Sequence, residues 1–361
     1  MKAFFPDIPF LALTATAPPA MLTSLKQSLS LNSSCKVISA NPNRMNIYFD
    51  KNVRMSSHHG FRSYEQILLP IANELAIQRE KYPMTIIYLK LKYCGYAFGL
   101  FERVLQDQQF VGDETDPSAR LFAQFHAPQT TRMKKSIIAE IKKEDSCVRV
   151  LFATSALGMG VNAPYVEHVV HITPPSNLES YVQETGRAGR TGTPSRATLY
   201  FNNSDIAANK EHIQEPMKVY CKSQVTCLRK LILQHLGFPL VKQERCCCIC
   251  DGTFKNVAEK VPKMVKPRVR ALPSENKDIL NELILLELDD FQNDVETIGM
   301  SLFDCGVADN KCLVNKIIKG IECIKTEADL LETYSIWNEQ CSFRIISLID
   351  RYAPLIGDSQ N

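Results

Sequence analysis

No Gly-Lys dipeptide occurs anywhere in these 361 residues. The chain therefore has no GxxxxGK[ST] loop of the kind that grips a nucleotide's phosphates with backbone N–H groups and a lysine. No acidic box of the DEAH kind follows an apolar strand either, which removes the usual carboxylates for a magnesium ion. No apolar run reaches the roughly 18 residues a membrane-spanning helix needs. The opening "MKAFFPDIPFLALTATAPPA" has the lysine, apolar run and small residues of a secretory signal. Pro6, Asp7 and Pro9 interrupt it, however, and an ionised Asp7 alone costs roughly 2.5 to 3.5 kcal/mol on insertion scales. A soluble, intracellular protein is the expectation. A strong excess of one charge is missing too: 42 Lys and Arg face 39 Asp and Glu, for a net +3. That balance permits nucleic-acid binding without arguing for it, so any such surface must be a local patch. Repeats and low-complexity tracts are absent.

What is present is an ordinary globular composition, 45% hydrophobic and 22% charged, on a chain long enough for two or three domains. Thirteen cysteines, an odd number with a dense local cluster, fit metal binding better than a disulfide framework. "FLALTATA" reads as an apolar strand, "AMLTSLKQSLSL" as a helix, and "NPNRMNIYFD" alternates like a short strand. From about 85 to 205, strands ("MTIIYL", "RLFAQFHA", "VRVLFAT", "VEHVVHI", "ATLYF") alternate with helices ("YAFGLFERVLQ", "TRMKKSIIAEIKKE", "NLESYVQETGRAG"). That order predicts βαβ units and a parallel sheet with helices on both faces. Near 215 the pattern changes to one helix, "YCKSQVTCLRKLILQHLG", followed by "RCCCICD". A Lys-, Arg- and Pro-rich linker comes next, and beyond it the pattern is wholly helical. There Ser274 is a candidate N-cap, and Thr326 with Asp329 resembles a capping box.

The richest chemistry lies in "VRVLFATSALGMGVNAPYVEHVVHITPPSNLESYVQETGRAGRTG". A strand ending in "ATSALGMG" puts small residues where a backbone must approach a ligand or a neighbouring lobe. Arg187 and Arg190, three apart, stand among Gly186, Ala188, Gly189 and Gly192, whose small side chains leave the guanidinium groups unobstructed. Such groups suit phosphate oxygens and the charge that develops as a γ-phosphoryl leaves.

"QETGRAGRTG", "ATSALGMGVN" and "LALTATAPP" closely resemble the sixth, fifth and third motifs of the RecQ-type DNA helicases of superfamily 2. "NRMNIYF" resembles the segment before that family's second RecA-like lobe, and "TIIYLKLKYCGYAFGLFERVL" its fourth motif. The resemblance runs from residue 1 to about 255. It implies a RecA-like α/β fold, a small helical zinc-binding subdomain, and 3′-to-5′ translocation on single-stranded DNA that unwinds duplex DNA with ATP and magnesium, in recombination and repair. Carried over by resemblance, Arg190 is the arginine finger, Arg187 a second γ-phosphate contact, and Gln183 a coupling residue between nucleotide and DNA. Gly158, Gly160, Asn162, Gly186 and Gly189 line the cofactor face, while Thr14, Thr16, Thr154, Ser155 and Met159 couple to DNA. The family usually carries Asp at the place of Asn162, Phe at Leu157 and Pro at Met45, and the first departure puts a polar contact of the fifth motif in question.

Cys247 and Cys250 form a CxxC, a spacing that lets two thiolates reach one tetrahedral zinc. By resemblance to the family's zinc subdomain, Cys227 is the third ligand. Cys246 is favoured as the fourth, with Cys248 and Cys221 as alternatives. "DETD" at 113–116 reads as an exposed acidic loop. His168 and His171 alternate faces of one strand and do not share a metal. Cys305, Cys312, Cys323 and Cys341 read as small core hydrophobes. The expected organisation is the end of a first RecA-like lobe at 1–55, a second lobe at 56–213, the zinc subdomain at 214–254, a basic linker at 255–276 and a helical tail at 277–361. In the linker, Lys260, Lys263, Lys266, Arg268 and Arg270 could touch a DNA backbone; for the tail, docking of a protein partner is the expectation. The family implies a nuclear location and no membrane association.

Overall fold

The computed structural model describes residues 11–14, 16–32, 34–55, 61–112, 119–158, 161–240, 246–254, 269–270, 272–297, 310–324, 329–330 and 339–356. After a first helix, α1 (Pro19–Ser28), come β1 (Ile47–Val53), α2 (Arg62–Gln78), β2 (Thr85–Tyr88), α3 (Leu91–Leu105), β3 (Phe122–Phe125) and α4 (Thr131–Glu140). They are followed by β4 (Val150–Ala153), β5 (His168–His171), α5 (Leu178–Thr185) and β6 (Ser195–Phe201). The six strands form one sheet in the order β1-β6-β5-β2-β4-β3, with every pairing parallel. This is the parallel α/β sheet that the alternating pattern predicts.

Period-two alternation sorts the strand residues between two cores. Ile87, Val150, Phe152 and Val170 point to one face, where α2 and α3 cover them with Leu68, Leu75, Leu100 and Phe101. Ile86, Leu151, Val169 and Ala197 point to the other, against Leu178 and Tyr181 of α5. That second core does not stop at the expected boundary near 213. It continues through Met217 and Tyr220 of α6 (Glu215–Lys222), Leu228 and Ile232 of α7 (Leu228–His235), and Cys246, Cys247 and Cys248. The cysteine-rich segment is thus packed as part of the sheet's own core. The helix α2 is absent from the sequence reading, because Pro70 lies inside it. Its buried stripe, Tyr64, Ile67, Leu68, Ala72 and Leu75, nevertheless has helical spacing.

Four further expectations need correction. Leu11–Thr14 forms no strand, and Leu11 and Leu13 are exposed at 79% and 85%; an apolar run becomes a buried strand only when a sheet offers it neighbours, and none of the six strands pairs with this segment. The single helix expected over "YCKSQVTCLRKLILQHLG" is two. The Ser223 hydroxyl accepts from the Thr226 N–H at 3.2 Å and donates to the Thr226 carbonyl at 3.1 Å, closing a turn between α6 and α7. Ser274 is not an N-cap, since a short 3₁₀ turn at Ser274–Asn276 leads straight into α8 (Lys277–Thr297) without a capping side chain. Nor is the tail wholly helical: β7 (Val269–Arg270) pairs antiparallel with β8 (Leu355–Ile356). In the tail, α8, α9 (Asn310–Lys319) and α10 (Glu339–Tyr352) bury Leu280, Ile284, Ile317 and Ile345 in a core of their own. Thr326, Lys260, Lys263, Lys266, Arg268 and the 113–116 loop lie outside the described residues, as does the side chain of Arg270. Among the described residues no helix is long and apolar enough to cross a membrane.

Candidate functional site

The arginine turn is built at the end of α5. The Asn177 side chain caps the start of that helix, accepting from the Ser180 N–H at 2.7 Å. At the other end Gly186 donates to the Val182 carbonyl at 2.8 Å, and a Cβ on Gly186 would meet that same oxygen at 2.9 Å. Gly189 adopts φ +62°, a left-handed conformation that side chains resist, and donates to the Val166 carbonyl at 2.7 Å. Turn geometry therefore follows from the glycines, as the sequence suggests.

Three guanidinium groups surround this turn. Arg187 is buried and donates to the carbonyls of Val161 (2.9 Å) and Gly158 (2.6 Å), so here it braces the fifth-motif loop. Arg190 is exposed and donates to Asn162 Oδ1 at 2.6 Å. Arg44 donates to the carbonyls of Gly186 (3.5 Å), Ala188 (3.3 Å) and Gly189 (2.5 Å). Among the described residues these groups hydrogen-bond to carbonyls and one amide, and none of them forms an ion pair. Burial, with the charges of Arg187 and Arg44 beside it, lowers the pKa of Arg190. An anion placed here would relieve the mutual repulsion of the three charges.

Other expected site residues divide between this region and elsewhere. Thr154 and Ser155 stand at the carboxyl end of β4, where the Thr154 hydroxyl accepts from the Ala156 N–H at 3.3 Å. Both line an open cavity of about 710 Å³ across the strand ends, together with Lys90, Ser176, Ser180 and His212. Gln183 lies half-buried on α5. Met159 and Gly160 fall outside the described residues, and the Thr14 hydroxyl makes a local bond to the Thr16 carbonyl at 3.1 Å. His168 and His171 take separate partners, Thr198 at 3.0 Å and Glu184 at 2.8 Å.

Cys227, Cys246, Cys247 and Cys250 bring their Sγ atoms within 4.8 Å of one another. Neighbouring sulfurs lie 3.3 Å (Cys227 to Cys246), 3.6 Å (Cys247 to Cys250) and 3.9 Å (Cys247 to Cys227) apart. Four thiolates bonded to one zinc at about 2.3 Å would sit about 3.8 Å apart, so the donor set fits that ion. Adjacent Cys246 and Cys247 both belong to the group, at a point where Cys247 bridges to Phe49 and the chain then turns. Hydrogen bonds with Cys227 and then Cys246 hold the Cys247 thiol well below its usual range. Cys248 and Cys221 lie outside the four, with burial pushing each thiol up to about 12. Cys341 is buried in the tail's core; Cys312 is exposed, which corrects its assignment as a core residue.

Sequence reasoning missed Arg44 and Asn46 as contacts of the turn, and also Lys51 and Arg229. The last two carried a signal. Lys51 continues the inward alternation of Ile47 and Phe49, and Arg229 lies in the buried stripe Leu228, Arg229, Ile232, Leu233. A cation on an apolar face implies dedicated partners.

Residues 74–192 match the family model of the helicase conserved C-terminal domain. The chain is 28% identical over 266 residues to ATP-dependent DNA helicase Q-like 2 of Arabidopsis thaliana, covering 70% of this chain and 34% of that protein. It is 29% identical over 253 residues to ATP-dependent DNA helicase RecQ of Haemophilus influenzae, covering 66% and 36%. ATP-dependent helicase SGS1 of Saccharomyces cerevisiae is 30% identical over 305 residues, covering 77% and 19%. The chain thus spans about a third or less of these three relatives. Among solved structures, S. cerevisiae Dbp5 bound to RNA and ADP BeF3 aligns with a TM-score of 0.42 at 18% identity, covering 61% of this chain and 51% of that one.

Proposed function

We propose that this chain, a relative of the RecQ-type superfamily 2 helicases, supplies the arginine-bearing face of an ATP site in a 3′-to-5′ DNA helicase. The observation that carries the reading is the cluster of Arg44, Arg187 and Arg190 around one turn with neutral hydrogen-bond acceptors. Arg190, exposed and held by an exposed amide, is the group free to swing to a phosphoryl oxygen, at little cost beyond one hydrogen bond. Arg187 keeps the fifth-motif loop in register with it, and a shift to a phosphate contact would require release of two carbonyls. Gln183 links the nucleotide face to DNA. Single-stranded DNA follows the strand ends past Thr154 and Ser155, held mainly through its phosphates, so binding weakens steeply with salt. Bound ATP with magnesium supplies the phosphoryl chemistry. Because the sequence contains no GxxxxGK[ST], the chain alone does not turn ATP over.

Zinc held by Cys227, Cys246, Cys247 and Cys250 has a structural role, fixing α7 against β1. Work on duplex DNA in recombination and repair, and a nuclear location, belong to the same reading, as does a protein partner on the helical tail. The missing phosphate loop favours a second reading, a non-catalytic module that binds nucleic acid or a partner. DNA-stimulated ATP hydrolysis by the chain joined to a lobe that carries a GxxxxGK[ST] loop separates the two. Turnover that falls a thousandfold or so in Arg190→Ala supports the motor. Single-stranded DNA binding without turnover supports the silent module.

A further inference from the structure

The cysteine cluster and the arginine turn are distant in sequence but joined by a short run of polar contacts. Arg229, the buried cation of α7, donates to Asn43 Oδ1 at 2.6 Å and to the Arg44 carbonyl at 2.8 Å, and it also donates to the Ile47 carbonyl. Its guanidinium lies 5.0 Å from the centre of the Phe49 ring. On one side of Arg229 is the cluster. Phe49, whose ring lies under this guanidinium, reaches the cluster through its backbone: its N–H donates to the Cys246 carbonyl at 3.3 Å and its carbonyl accepts from the Cys248 N–H at 3.0 Å. The Leu228 N–H, next along from Cys227, donates to Cys247 Sγ at 3.4 Å.

On the other side is the turn. The segment that Arg229 fixes, Asn43 to Ile47, carries the Arg44 side chain that spans three carbonyls of 186–189. It also carries Asn46, whose Nδ2 donates to the Gly189 and Thr193 carbonyls, each at 2.8 Å. The carbonyls at a helix's end are its unsatisfied, partly negative groups, and a guanidinium over them is favourable. Arg190 follows directly on this turn.

We infer that Arg229 and Arg44 form a brace through which metal occupancy of the four-cysteine cluster sets the position of the Gly186–Arg190 turn. Both are positioning residues. They act on Arg190 through the 43–47 segment, and neither needs to touch nucleotide. The inference rests on the arginine-face reading for its meaning in catalysis, but the coupling itself is a property of the folded chain and is read without ATP or DNA.

The test is amide hydrogen exchange on the intact chain, with metal content measured in parallel. The amides of Gly186, Ala188, Gly189 and Gly192 are all hydrogen-bonded, so their exchange reports whether the turn is closed. In Arg44→Gln, exchange over 186–192 should rise about tenfold or more, as expected for losing hydrogen bonds to a charged group. Protection of 228–235 and one metal per chain should be unchanged. Arg44→Lys, which can reach one or two of the carbonyls, should recover part of the protection. Removing the metal from the wild type with a chelator should raise exchange over both 43–47 and 186–192, and should add little at 186–192 in Arg44→Gln. If Arg229→Gln fails to fold, Arg229→Lys serves in its place, loosening the turn with metal retained. Unchanged exchange over 186–192 in Arg44→Gln would overturn the proposal, as would loss of metal that loosens 228–250 and leaves the turn protected. Failure of the helicase reading would appear instead as absent DNA-stimulated ATP turnover when the chain is joined to a lobe carrying a GxxxxGK[ST] loop, with this coupling intact.

Discussion

Asn46 and Gly189 occupy the same space: a Cβ built on Gly189 would lie 2.3 Å from Asn46 Nδ2. It would also lie 2.7 Å from Ser195 Oγ, on a residue whose φ of +62° already disfavours a side chain. Gly189→Ala should therefore destabilise the chain by about 2 to 4 kcal/mol, from left-handed strain plus displaced neighbours. Thermal unfolding of Gly189→Ala, Asn46→Ala and the double variant checks this. Because Asn46 is the nearest obstacle, the double variant should lose clearly less than the sum of the two single losses, and strict additivity would show that the two residues do not compete for this space.

Lys51 is the second buried cation that the sequence hides in an apolar pattern. Its ammonium donates to the carbonyls of Tyr220 (3.2 Å), Cys221 (2.8 Å) and Ser223, which are orphan acceptors at the end of α6. The Phe254 ring lies 4.6 Å away. Burial lowers its pKa to about 8, from an unfolded value near 10.5. Between those values the unfolded chain holds more protons than the folded one, so this group's contribution rises with pH from 8 to 10.5 and is lost as pH falls back to 8. Lys51→Met should cost about 3 kcal/mol near neutral pH by stranding the carbonyls. It should also remove that rise, visible as a gap between wild-type and variant urea midpoints that changes across the window. A gap constant from pH 7.5 to 10.5 would contradict the lowered pKa.

Much of this site is legible in sequence because its chemistry is local. Gly186, Gly189 and the two arginines lie within five residues, and the strands that carry the fifth motif announce themselves by β-branched runs. Half of the cysteine set is legible for a similar reason, since a CxxC places two of the four clustered sulfurs, whereas Cys227 and Cys246 come from the family resemblance. What stays hidden depends on distance along the chain. Nothing near Arg44 indicates that its guanidinium will lie over carbonyls 142 to 145 residues away. Helix α2 is obscured by Pro70, and the break between α6 and α7 by an unremarkable Ser223, whose hydroxyl closes the turn through Thr226. The apolar "FLALTATA" misled in the opposite direction, because strand propensity reports a fit to a sheet and does not provide one.

The four-cysteine assignment makes a discriminating prediction. Purified chain should contain one zinc, and Cys246→Ser or Cys250→Ser should lower both its metal content and its melting temperature. Cys248→Ser and Cys221→Ser should keep the metal, since both thiols lie outside the cluster. Elemental analysis of the five proteins decides it: metal lost in Cys248→Ser and kept in Cys246→Ser would exchange the ligand roles of those neighbours.

His168 offers an acid-side counterpart to Lys51. It pairs across the sheet with Arg196, and its Nε2 lies 3.0 Å from the Thr198 hydroxyl. Burial, and then the Arg196 charge, lower its pKa from 6.5 to about 4. The folded chain therefore keeps this ring neutral while the unfolded chain protonates it. Its contribution is complete above pH 6.5 and is lost as pH falls toward 4. Substitution His168→Gln preserves an amide that can bond Thr198 and removes the titration. Denaturant midpoints recorded from pH 7 to 4 should fall less steeply in the variant than in the wild type, and the two curves should run parallel above pH 6.5. Equal slopes below that value would mean that the ring takes up its proton as readily in the folded chain as in the unfolded one.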